Sequence, residues 1–100
     1  MKTKGNKIKD AIVEGIVTGF LSQVEKEYIK ARTKFGDFQS PHEGYAVILE
    51  ELDELWDEIK SKDGFASGRL QKEAVQVAAM ALRFLYDCCG YHIEGVADES

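Results

Sequence analysis

Ser40-Pro41-His42-Glu43-Gly44-Tyr45-Ala46-Val47-Ile48-Leu49-Glu50-Glu51-Leu52-Asp53-Glu54-Leu55-Trp56-Asp57-Glu58-Ile59-Lys60 reads as a helix over about Pro41 to Lys60 behind its N-cap. Ser40 supplies an N-cap hydroxyl, Pro41 fits the first helical position where no N–H is needed, and Glu43 completes a capping box. Tyr45, Ile48, Leu49, Leu52, Leu55, Trp56 and Ile59 then recur at three- and four-residue steps, the signature of one apolar helical face. Lys, Asp, Gly and Ser crowd residues 61–68, which predicts a loop.

Two further helices flank this one. Upstream, Ile8, Ile12, Ile16, Phe20, Val24, Tyr28, Ala31 and Phe35 share a face over residues 8–35. Gly15 and Gly19 each cost about 1 kcal/mol relative to alanine, so two helices or one bent helix are both compatible with the segment. Gly36 is placed to cap its C-terminus. Downstream, a third helix is expected from Arg69 to Cys89, stopped by Gly90, with a tail from Tyr91 onward. Three helices and no strand pattern predict an all-α antiparallel bundle in a single domain spanning residues 1–100.

Composition narrows the function. Eighteen acidic against thirteen basic residues give a net charge of -5, the wrong sign for a phosphate-backbone binder, so nucleic acid is not expected as a partner. Basic residues concentrate near the start (Lys2, Lys4, Lys7, Lys9), where a solvated terminus explains them. No stretch is apolar enough for a membrane span, and the start lacks the pattern of a signal peptide. Cys88 and Cys89 are sequence neighbours, poorly placed to bridge each other and too few for a zinc site. They are read as reduced residues of a cytoplasmic protein.

The acidic residues are not spread evenly. Glu43, Glu50, Glu51, Glu54, Asp57 and Glu58 fall on the side of the second helix opposite its apolar face. A solvated acidic surface is the plain reading. Yet Glu50-Glu51-Leu52-Asp53-Glu54 is dense, with few lysines at four-residue offsets, and such charges repel unless a cation sits among them. The third helix, apolar almost all round from Ala74 to Tyr86, adds a narrow polar stripe of Glu73, Gln76, Arg83 and Asp87. Buried polar groups need partners, either an interhelix ion-pair network or a metal. Glu51 and Glu54 are three residues apart, and Glu73 and Gln76 repeat that spacing on an antiparallel neighbour. Three carboxylates and an amide oxygen can thus face one or two hard cations, and magnesium prefers such oxygen ligands.

With these residues in place the chain resembles the MazG-like all-α nucleoside triphosphate pyrophosphohydrolases. Those carry Glu-x-x-Glu on one helix and Glu-x-x-Asp on the next. Glu51-Leu52-Asp53-Glu54, preceded by Glu50, matches the first motif, and Glu73-Ala74-Val75-Gln76 matches the second after a spacing that fits. The stretches 42–51 and 72–81 are similar to small phage and bacterial members especially, and the likeness covers roughly residues 20–90. Gln76 departs from the general motif, where an aspartate stands; the small phage-type members also carry glutamine there. A neutral amide oxygen is the weaker ligand.

The resemblance implies a metal-dependent cleavage of a (d)NTP to a (d)NMP and pyrophosphate, with Mg²⁺ or Mn²⁺ held by Glu51, Glu54, Glu73 and Gln76. It implies Glu50 or Glu51 as the group that takes the proton of the attacking water. Arg83, nearly on the Glu73 stripe, is placed either to meet a phosphate of the nucleotide or to make a structural ion pair. Relatives form dimers or tetramers in which helices of two chains complete a four-helix core, and a homodimer or homotetramer is expected here because three helices cannot cover so apolar a third helix. Phe35, Phe38, His42 and Trp56 are aromatic candidates for stacking on a base, though such residues at helical spacing are more often core. The competing readings are a helical interaction module with a merely acidic surface and a nucleotide-binding protein without turnover. A di-iron carboxylate bundle fits poorly, since neither His42 nor His92 falls in a Glu-x-x-His pair.

Overall fold

The computed structural model describes residues 7–90, all helical or in short connections. Helix α1 spans Lys7–Phe35, α2 Pro41–Lys60, α3 Gly64–Ser67 and α4 Arg69–Cys88. The fold is all-α, and successive long helices alternate in direction. The Lys2 and Lys4 of the basic start, the tail from Tyr91 and His92 lie outside the described residues.

Helix α1 is continuous through Gly15 and Gly19, neither of which meets another side chain. Gly36, at φ +77°, closes it, its N–H donating to the Arg32 carbonyl at 2.8 Å. Helix α2 begins where its capping residues place it: the Glu43 N–H donates to Ser40 Oγ at 3.1 Å. The capping box closes one residue early, since the Glu43 carboxylate accepts from the Gln39 N–H and not from that of Ser40. The segment read as a plain loop contains the single turn α3, followed by Gly68 at φ +83°. Four residues opening on glycine carry too little periodicity to announce a helix.

Helix α4 is central, with α1 and α2 packed on it and α3 tucked against its start. Ala31, Ala79 and Met80 form the buried core, and Val24, Tyr28, Val47 and Ile48 pack against it. Glu58 meets Arg69, and the space beside Gly44 is filled by Phe84, so α2 and α4 are antiparallel. Gln23 bonds Gln71 while Gly36 bonds Arg83, so α1 runs in the direction of α4.

Two faces differ from the sequence expectation. The side of α2 turned inward is the border of its apolar face: Gly44, Val47, Ile48, Glu51, Leu55 and Glu58 are buried or half-buried. Tyr45, Leu49, Leu52, Trp56 and Ile59 are left outside. Helix α4 is not covered all round either, and Ala74, Ala78, Ala81 and Leu85 form an exposed stripe along it. The first half of α1 overhangs the start of α4 with Ile8, Ile12, Ile16 and Val17 exposed.

Candidate metal centre

The register of α2 against α4 builds the site. With Glu58 opposite Arg69 and Gly44 opposite Phe84, Glu54 falls opposite Glu73 and Glu51 opposite Gln76. One carboxylate oxygen from each of Glu51, Glu54 and Glu73 lies within 4.8 Å of the other two. Glu51 and Glu73 are half-buried and Glu54 is exposed. The three residues chosen by spacing are therefore brought together, and they can hold a metal ion. Gln76 is half-buried beside them and, with Glu50 and Glu51, lines the adjoining cleft.

The cluster is electrostatically costly as it stands. Burial first, then the charges of Glu54, Glu73 and Glu50, push the Glu51 carboxyl up to about 7. Glu73 is raised likewise by burial and by Glu54, with Lys72 partly offsetting the effect. Glu73 Oε1 is buried without a hydrogen-bond partner. A buried carboxylate oxygen with nothing to accept from is disfavoured by about 1–3 kcal/mol, or more when charged. A hard cation would satisfy that oxygen and remove the mutual repulsion, so the donor set suits a metal ion that prefers oxygen ligands.

Beside the cluster lies a cleft of about 450 Å³, floored by α4 and walled by α1 and α2. Phe35 and Phe38 line it, whereas His42 and Trp56 are not among its lining residues. His42 is exposed, and Trp56 sits on the outer side of α2 with the Lys60 ammonium 5.5 Å from its ring. Phe38 is a core residue at 7% exposure.

Arg83 is at the floor of the cleft, only 4% exposed. Its Nη2 donates to the Gly36 carbonyl at 2.8 Å, Nη1 approaches Met80 Sδ at 3.3 Å, and the guanidinium stacks on Phe38 at 4.1 Å from the ring centroid. No carboxylate pairs with it among the described residues, and its Nε is buried without a partner. It serves the open carbonyl at the end of α1. The remaining member of the α4 stripe, Asp87, is joined to Arg32 at 3.3 Å and accepts from the Phe38 N–H at 2.8 Å. The polar stripe therefore divides: its N-terminal half faces the acids of α2, and its C-terminal half fastens the α1–α2 connection.

Lys30, Lys34 and Lys72 also line the cleft, and sequence reading passed over them. The signal available was the four-residue spacing of Lys30 and Lys34, which places both on one side of α1.

The chain matches no protein-family model, no curated protein and no solved structure. No helix among the described residues is long and apolar enough to cross a membrane. Fold and site together define a small all-helical protein with an acidic cluster able to take up a cation.

Proposed function

We propose that the chain is a metal-dependent nucleoside triphosphate pyrophosphohydrolase of the MazG-like kind, cleaving a (d)NTP to a (d)NMP and pyrophosphate. The observation that carries this reading is the convergence of Glu51, Glu54 and Glu73, with one buried oxygen of Glu73 left unsatisfied. Such a set wants a hard divalent cation, and the cleft beside it is of a size for a nucleotide.

Glu51, Glu54 and Glu73 are the carboxylate donors for Mg²⁺ or Mn²⁺, and Gln76 offers its amide oxygen next to them. A divalent ion bound there would draw charge from the phosphate oxygens and make water more acidic. Glu50 lines the same cleft but is not one of the three converging acids, which leaves it free to accept the proton of the attacking water. Glu51 is the alternative acceptor, since its proton affinity lies near neutrality. Arg83 holds the floor of the cleft in place through Gly36 and Phe38, and its guanidinium keeps further N–H donors for a phosphate.

The same reading takes the working form to be a homodimer or homotetramer. The exposed α4 stripe and the overhanging half of α1 support it, because an apolar surface of this extent is covered in most soluble proteins.

A helical interaction module is the second reading, favoured by the outer row Tyr45, Leu49, Leu52, Trp56 and Ile59. The row keeps the four- and three-residue alternation of a coiled-coil seam. One experiment separates the two: release of pyrophosphate from a panel of ribo- and deoxynucleoside triphosphates with Mg²⁺ or Mn²⁺, beside Glu54→Ala. Pyrophosphate and monophosphate from the native chain, absent with the variant, support the enzyme. Silence across the panel in folded, metal-loaded protein leaves the module or a nucleotide-binding protein without turnover.

A further inference from the structure

The two walls of the cleft carry opposite charge. Helix α2 contributes Glu43, Glu50 and Glu51 and no base, while α1 contributes Lys30 and Lys34 against one acid, Glu27, and Lys72 lies on the floor helix α4. All three lysines are exposed. Five carboxylates line the same cleft, yet among the described residues none of the three ammonium groups is within ion-pair distance of any of them. Asp37 is instead joined to Arg32 at 3.2 Å, and Glu43 is engaged by the Gln39 N–H. The Lys34 ammonium lies 5.2 Å from the Phe35 ring centroid.

A ligand that spans the cleft must therefore be anionic toward α1 and, through a cation, acceptable to α2. A single carboxylate or sugar does not meet both demands. A chain of phosphates chelating a divalent ion does. Lys30 and Lys34 are one turn apart, about 6 Å along the axis, which lets them follow successive phosphates. Lysine ammonium groups suit this task as mobile point charges that need no fixed hydrogen-bond plane.

We propose that Lys30, Lys34 and Lys72 form a polyphosphate-holding wall, receiving the β- and γ-phosphates of a nucleotide across the cleft from the carboxylate cluster. The assignment rests on the reading of that cluster as a cation site. It makes these lysines determinants of selection for a polyphosphate chain over a single phosphate, and it names residues that lie outside the acidic motifs.

The test is calorimetric titration of the full chain with inorganic tripolyphosphate in the presence of Mg²⁺, with adenosine monophosphate as the short-chain comparison. Wild type is compared with the double variant Lys30→Gln/Lys34→Gln and with Lys62→Gln, a lysine outside the cleft. Lys30 and Lys34 are both exposed, so the fold survives their replacement. Tripolyphosphate is expected to bind, more tightly than the monophosphate, and to weaken at least about tenfold in the double variant, equivalent to roughly 1.4 kcal/mol. Lys62→Gln should leave it unchanged. Equal binding by wild type and double variant overturns the proposal, as does a wild type that ignores tripolyphosphate. The Mg²⁺-induced rise in melting temperature, recorded without phosphate, reports the cation site separately. If that rise is present and tripolyphosphate does not bind, the lysine wall falls and the cation reading stands. If the rise is absent and lysine-dependent binding persists, the reverse holds.

Discussion

The Phe38 N–H donates to Asp87 Oδ2 at 2.8 Å, tying the α1–α2 connection to the last turn of α4. The Asp87 side chain is 2% exposed and is met by Arg32 as well. Replacing it with alanine leaves the Phe38 amide without its acceptor and Arg32 without its inner partner. A loss of about 2–4 kcal/mol is expected in denaturant unfolding. Arg32→Ala should cost less, because that side chain is one-third exposed.

At Gly44 the rings of Phe84 and Phe38 lie close against the backbone of α2. A Cβ there would stand 2.6 Å from a Phe84 ring carbon and 3.1 Å from one of Phe38. Gly44→Ala gains helix propensity but must displace two core rings, and the second effect wins by about 1–3 kcal/mol. Gly15→Ala and Gly19→Ala meet nothing and should stabilise, each by somewhat under about 1 kcal/mol. Thermal melts of the three variants check the contrast.

The raised Glu51 carboxyl fixes the sign of a pH effect. Its native value of about 7 stands above the ordinary 4.5, so the folded state holds this proton more tightly than the unfolded one. Stability of the metal-free protein from this group is full below about 4.5 and falls as pH rises to about 7. Glu54→Gln removes a like charge and should flatten that fall. Divalent metal should reverse it, stabilising more as Glu51 loses its proton. Melting temperature against pH, with and without Mg²⁺, tests both.

Much of the architecture was legible in the sequence because its signals are local. Ser40-Pro41 and Glu43 fix the start of α2, and Gly36 and Gly68 mark helix boundaries through positive φ. The convergence of Glu51, Glu54 and Glu73 followed from three-residue spacing and antiparallel pairing. What escaped depends on rotation about a helix axis. Periodicity centres α2 on Leu52, but Gly44 lets Phe84 in close and Glu58 holds Arg69, turning the helix so that Glu51 faces α4 and Leu52 faces out. Arg83 gave no hint of its carbonyl partner, since Gly36 lies 47 positions away.

The stripe of Ala74, Ala78, Ala81 and Leu85 supplies a further expectation. Sedimentation of the full chain at micromolar concentration should give a dimer or tetramer. Ala78→Glu with Leu85→Glu should give a monomer that keeps its helical circular dichroism, because both positions are exposed in the single chain. A native chain that sediments as a monomer contradicts the proposed assembly.

Everything proposed for the cleft depends on a divalent cation among Glu51, Glu54 and Glu73. Calorimetric titration of Mn²⁺ into the native chain and into Glu54→Ala tests this most directly. Saturable binding that weakens at least about tenfold in the variant is the expected result, a difference of roughly 1.4 kcal/mol or more. Binding that is absent, or equal in the two proteins, would contradict the cation site and with it the proposed hydrolysis.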